Sequence, residues 1–129
     1  MSTFTPYTVE VLQRMRIAAG HKYLDLGTGP GVSLALAAGL TGPGRAVGVE
    51  RDEHMAAFVQ KNLDLVGVGA KVVAGDALDG HAPRAPYDRI HSGIGVPCLP
   101  SAWVDRLAPG GRLVTTLATR TPSWPGSAR

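Results

Sequence analysis

One cysteine, Cys98, stands in a chain of 129 residues, and a single thiol cannot build an internal disulfide. No apolar run is long enough to span a bilayer, and no basic-then-apolar stretch opens the chain. The expectation is a cytoplasmic protein with no membrane partner. Charge of one sign is never bunched: Arg14, Arg16, Arg45, Arg51 and Arg129 are scattered, so the net charge of +3 does not imply nucleic acid. His21, His54, His81 and His91 are not at metal-ligand spacing, and there is no internal repeat and no low-complexity segment.

What is present is ordinary globular material, 44% hydrophobic and 18% charged, enough for one core and one active surface. Short apolar runs at 22–26 (KYLDL), 46–50 (AVGVE), 71–74 (KVVA), 87–91 (YDRIH) and 112–117 (RLVTTL) read as buried strands. Helical patterns lie between them. The clearest is 53–66, where Met55, Val59, Leu63 and Val66 recur on one face behind Asp52 as N-cap, with Gly67 and Gly69 ending it. An earlier helix, about 8–19, aligns Val11, Leu12, Met15 and Ala19 and turns Arg14 and Arg16 to water. Strands alternating with helices predict an α/β fold with a doubly wound, mostly parallel sheet of about five strands. The domain is expected to span 1–120. The remaining 121–129, TPSWPGSAR, has two prolines and no periodicity and reads as a mobile tail.

In such sheets ligands sit outside the carboxyl ends of the strands. Three acids fall there: Asp25, Glu50 and Asp76. Between the first two lies LDLGTGPG, whose glycines at 27, 29 and 31 allow positive φ and close approach. The nicotinamide fingerprint needs a sixth-position glycine, and Val32 occupies that place. A carboxylate two residues before the first glycine would repel a pyrophosphate but suits a ligand carrying an ammonium and hydroxyls, which points to S-adenosylmethionine. Glu50 can accept from both hydroxyls of a ribose. Asp76 is placed to accept an adenine amine while the N–H of Ala77 reaches a ring nitrogen. Asp25 would meet the ammonium, directly or through water, Gly27 and Gly29 would let the backbone approach the methionine part, and Thr28 between them is expected among the cofactor-binding residues. The first N–H groups of the next helix would hold the carboxylate. His91, at the end of the fourth strand, is a further candidate for ligand contact.

The combination LDLGTGPG, VGVE and AGDA resembles the class I S-adenosylmethionine-dependent methyltransferases. The stretch 85–114, APYDRIHSGIGVPCLPSAWVDRLAPGGRLV, is similar in order and spacing to the protein-L-isoaspartate O-methyltransferase family within them. The likeness runs from about Thr3 to Leu117. It implies methyl transfer from a sulfonium to a carboxylate of an isoaspartyl or aspartyl residue in a protein or peptide. A carboxylate is already ionised at neutral pH, so the reaction needs no general base.

Two departures from the family pattern stand out. The family's Thr-x-Ser-x-Pro-like segment, whose serine contributes to the active site, corresponds to STFTPYTV here. Counting back from GHKYLDLG puts Thr3 at the serine position, and anchoring on Pro6 puts Phe4 there. The family sheet also has seven strands, and the sequence after Leu117 is not expected to supply the last two. A fragment, a naturally short member, or an oligomer that covers the fifth strand's edge would each account for this, the last implying a homodimer. The alternative to an enzyme is a shortened methyltransferase-like domain that binds S-adenosylmethionine weakly or not at all and serves as a non-catalytic partner.

Overall fold

The computed structural model describes residues 4–117, so Thr3 and the expected tail at 121–129 lie outside the described residues. Five strands, β1 (Tyr23–Leu26), β2 (Ala46–Glu50), β3 (Ala70–Ala74), β4 (Tyr87–Val96) and β5 (Leu107–Leu117), form one sheet in the order β3-β2-β1-β4-β5. Every pairing in it is parallel. The chain winds outward from β1 in one direction and then from β4 in the other. The strand order therefore reverses between β1 and β4, which opens a crevice at their carboxyl ends.

β1 and β2 are buried almost throughout, as a central parallel strand must be when both faces are covered. Alternation divides their side chains between two cores. Tyr23 and Ala46 pack with α1 (Phe4–Met15), α2 (Val32–Thr41) and α3 (Glu53–Leu65). Leu24, Leu26, Val47 and Val49 pack with Trp103 of α4 (Ser101–Asp105) on the opposite face. That second face is covered more thinly than the helical reading anticipates. Between β3 and β4 only two single 3-10 turns occur, Ala77–Asp79 and Ala82–Arg84.

Two helices differ from their periodicity. α1 runs from Phe4 to Met15 rather than 8–19, because Arg16 takes a left-handed φ of 53° and stops it. The Arg89 guanidinium, coming from β4, donates to the carbonyls of Met15 and Arg16 and so caps that end. Val11, Leu12 and Met15 are buried as expected, whereas Ala19 is exposed. α3 keeps Asp52 as its N-cap, the carboxylate accepting from the N–H groups of His54 and Met55. Its inner face is Ala56, Val59 and Leu63, with Met55 and Val66 turned outward. Val59 docks against Gly31, which fixes the rotation of the helix and swings Met55 away from the core.

β4 and β5 are both longer than their apolar patterns suggest. The ladder pairs His91 with Val114 and then Gly95 with Thr116, so Ser92, Gly93 and Ile94 form a bulge in β4. A second irregularity lies between the Tyr87–Leu107 and Arg89–Arg112 pairs. Each bulge breaks the two-residue period, which is why the sequence pattern stops short. In the described sheet β5 is an edge strand, paired with β4.

Candidate active site

At the carboxyl ends of the strands lies a cleft of about 470 Å³. Gly27 and Gly29 form one wall, Glu50 and Arg51 another, the segment Asp76–Leu78 a third, and Ile94–Pro97 the last. A groove of about 500 Å³ between α1 and α2 is of similar size, but it is mostly aliphatic and gathers no acids. Convergent polar groups belong to the first cleft.

Glu50 ends β2 and holds the glycine turn in place. Its Oε1 accepts the Gly29 N–H at 3.0 Å and its Oε2 accepts the Asp52 N–H at 3.1 Å. Each carboxylate oxygen accepts more than one hydrogen bond, so both keep capacity toward the cleft. Asp76 ends the segment after β3 and caps the turn that follows, its Oδ1 accepting the Leu78 N–H at 2.9 Å. The turn is anchored from below, because the Trp103 indole N–H donates to the Ala77 carbonyl at 2.7 Å.

The glycine turn divides its tasks. Gly27 has φ +74°, and a Cβ there would meet the Ile94 Cγ2 at 2.7 Å, so this glycine lets the β4 bulge pack on the turn. Gly29 has φ +54° with nothing within 4 Å of a Cβ, so it faces open space. Gly27→Ala is expected to lose about 2–4 kcal/mol of stability, combining a left-handed alanine with overpacking. Gly29→Ala should lose only the backbone part, about 1–2 kcal/mol. Urea unfolding of the two variants checks the order, and equal losses would contradict it.

Thr28 and Asp25 take places other than those expected. Thr28 turns inward: its hydroxyl donates to the Asp25 carbonyl at 3.1 Å and its N–H to the Val49 carbonyl at 3.0 Å. It is buried and is not part of the cleft wall. Asp25 is 1% exposed and also lies behind the wall. Its carboxylate accepts from the Ser33 hydroxyl at 2.7 Å, the His91 Nδ1 at 2.9 Å and the Tyr23 hydroxyl at 3.2 Å. A buried carboxylate costs several kcal/mol unless so satisfied. These bonds make Asp25 a brace linking β1, α2 and β4 rather than a residue of the cleft wall. Burial, then the charge and hydrogen bond of Asp25, pushes the Tyr23 hydroxyl well above the usual phenol range.

The brace also answers for His91. Parallel register sets Asp25 opposite His91, and the ring's Nδ1 is engaged with that carboxylate rather than with the cleft. Arg51, Leu78 and Ile94–Pro97 are wall residues that sequence reasoning did not single out. Arg51 had a usable signal, since it directly follows an acid at a strand end. The Ile94–Pro97 wall depends on the bulge, for which periodicity gives no sign.

A family model described as protein-L-isoaspartate(D-aspartate) O-methyltransferase matches residues 3–122. The chain is 40% identical over 104 residues to a protein-L-isoaspartate O-methyltransferase of Methanopyrus kandleri, covering 78% of this chain and 46% of that protein. The chain spans about half the length of the curated relatives it matches. Among solved structures, a protein-L-isoaspartate O-methyltransferase superposes with a TM-score of 0.82 at 22% identity, over 98% of this chain and 39% of that one. A methyltransferase of Thiobacillus denitrificans, solved with S-adenosyl-L-homocysteine, superposes with a TM-score of 0.71 at 24% identity, over 88% of this chain and 49% of that one. At these identities the structural likenesses establish the fold, that of class I methyltransferases.

Proposed function

From its membership of the protein-L-isoaspartate(D-aspartate) O-methyltransferase family, to which this chain belongs, we propose that it transfers a methyl group from S-adenosylmethionine to the carboxylate of an isoaspartyl or aspartyl residue in a protein or peptide. The observation that carries the reading is the meeting of Glu50, Asp76 and the open Gly29 on one cleft of about 470 Å³. Two acids with spare acceptor capacity suit a ligand that presents ribose hydroxyls and an amino group. A wall that includes Ile94, Val96 and Leu78 suits its apolar surfaces.

In this reading Glu50 accepts from the two ribose hydroxyls while its bonds to the N–H groups of Gly29 and Asp52 keep its oxygens aimed. Asp76 and the Ala77 N–H hold the adenine edge, on a turn that Trp103 supports from below. Gly27 and Gly29 let the backbone approach the methionine part. Asp25 acts behind them, fixing the turn through Ser33 and His91. Thr3 is the proposed substrate-side hydroxyl. When bound, S-adenosylmethionine supplies a methyl group on a sulfonium whose thioether leaves without needing a proton. The chain's task is thus in-line positioning and exclusion of water, not proton transfer.

Calorimetric titration with S-adenosylhomocysteine and with NAD, followed by radiolabelled methyl transfer to an isoaspartyl peptide, tests the proposal. Binding of the first ligand alone together with label transfer is the expected result. Binding without transfer would leave the non-catalytic alternative, and binding of NAD alone would remove both. For Asp76, alanine is expected to weaken binding more than asparagine, because the asparagine oxygen still accepts and can still cap the turn at Leu78. The inosine analogue, which carries a carbonyl in place of the amine, should bind poorly to the native chain. Equal binding of that analogue would remove the role of Asp76.

Self-association through the edge of β5 and a cytoplasmic setting belong to the same reading. Among the described residues, no helix is long and apolar enough to cross a membrane. Sedimentation at several concentrations tests the dimer, and a monomer throughout would exclude it.

A further inference from the structure

The rim opposite the cleft, at the amino ends of the strands, gathers cations where the cleft gathers acids. Lys22 precedes β1, Arg45 precedes β2, and Arg84 lies in the 3-10 turn before β4. With Gly44, Pro83 and Tyr87 these three side chains line a pocket of about 300 Å³ that has no acidic residue in its wall. They come from three separate parts of the chain, so their convergence is a product of folding and not a run of like charge.

Among the described residues they have no electrostatic partners. Among the described residues the ion pairs are Arg14 with Glu10 and His91 with Asp25, so none of the three cations has a carboxylate within 4.0 Å. The neighbouring acid, Asp88, accepts the backbone N–H of Lys22 on its Oδ2 at 2.8 Å, and its negative charge favours the charged form of Arg89. Arg84 makes one long bond, 3.4 Å, to the Gly44 carbonyl. Backbone acceptors at this rim are engaged too: the Arg45 carbonyl takes the Tyr23 N–H, and the Lys22 carbonyl takes those of Asp88 and Arg89. The pocket therefore presents side-chain donors with positive charge. Three like charges repel, and salt screens them only in part, so an external anion would relieve the arrangement. The nearby His81 is pushed below the usual imidazole range, by burial first and then by the charge of Arg84.

We propose that this pocket binds a phosphate group, as the free ion or as a monoester. A tetrahedral dianion offers several acceptor oxygens. Two guanidinium forks can each take a pair of them, and an ammonium can take the remainder as a compact point charge. Tyr87, 1% exposed, donates its hydroxyl to the His81 carbonyl, so its ring forms a fixed wall and adds no donor of its own. The site lies at the opposite end of the strands from the cofactor cleft and does not depend on the methyl-transfer reading.

Backbone amide spectra of the whole chain, recorded during titration with inorganic phosphate against chloride at equal ionic strength, test the site. Saturable shifts confined to Lys22, Arg45, Arg84, Tyr87 and their neighbours are expected. Affinity should fall roughly tenfold or more in Arg45→Gln and in Arg84→Gln, each of which removes a charged donor. Both are rim substitutions whose folding the same spectra report, and Lys22→Gln provides a third variant. A nucleoside 5′-monophosphate titrated alongside separates the two sources: equal affinity assigns the pocket to the free ion, and tighter binding assigns it to the ester. Shifts no larger than those with chloride, shifts centred on Gly29 and Glu50, or affinities unchanged in the variants would overturn the proposal.

Discussion

Replacing Glu50 with alanine is expected to weaken S-adenosylhomocysteine binding by roughly 10- to 150-fold, the equivalent of about 1.5–3 kcal/mol for hydrogen bonds to a charged acceptor. Two losses combine in that figure. On the proposed role of Glu50 the ribose hydroxyls lose their acceptor, and the N–H groups of Gly29 and Asp52 lose the carboxylate that holds the turn against the end of β2. Glu50→Gln separates them. An amide accepts through its oxygen alone, so only one of the two N–H groups keeps a partner, and the other meets an NH₂. Glutamine should therefore bind with intermediate affinity. Calorimetry on both variants, with circular dichroism to show that each is folded, decides the matter. Undiminished affinity in a folded Glu50→Ala protein would take the ribose role from this residue.

Trp103→Ala should give the largest loss of stability, about 3–5 kcal/mol, as expected for truncating a fully buried indole. The side chain fills the core on the face where helical cover is thinnest, with Leu24, Leu26, Val47 and Val49 across from it. Its N–H also holds the Ala77 carbonyl, and through it the turn that carries Asp76. Trp103→Phe keeps most of the packing and removes that bond. Because the Ala77 carbonyl still accepts from the Gly80 N–H, the loss of the bond itself should cost only about 0.5–1.5 kcal/mol. Urea unfolding measures both variants. A small loss for alanine would mean that the second core does not depend on the indole.

The Asp25 brace shows how a strand-end acid can hold the glycine turn without lining the cleft. The sequence places Asp25 beside a glycine turn, and such a position invites a ligand contact. Only the parallel register of β1 with β4 reveals that His91 stands opposite it, and only the placement of α2 brings in Ser33. Those partners lie 66 and 8 residues away along the chain. Thr28 is a similar case: its position in LDLGTGPG is legible, but the direction of its side chain is set by how closely the turn packs on β2.

By itself the sequence determined the strands β1, β2 and β3 nearly to the residue, the N-cap of α3, the parallel α/β architecture, and two of the acids that meet at the cleft, Glu50 and Asp76. These depend on local physics: apolar runs bounded by turn residues, a carboxylate able to reach nearby N–H groups, and the rule that ligands gather at the carboxyl ends of parallel strands. The tertiary structure alone decided the rotation of α3, the end of α1 at Met15, the bulges that lengthen β4 and β5, the burial of Asp25, and the gathering of Lys22, Arg45 and Arg84 on one rim. Each of these is fixed by contacts between segments distant in the chain, where Val59 meets Gly31, Arg89 meets Met15 and Ile94 meets Gly27. A local pattern carries no information about which distant partner will arrive.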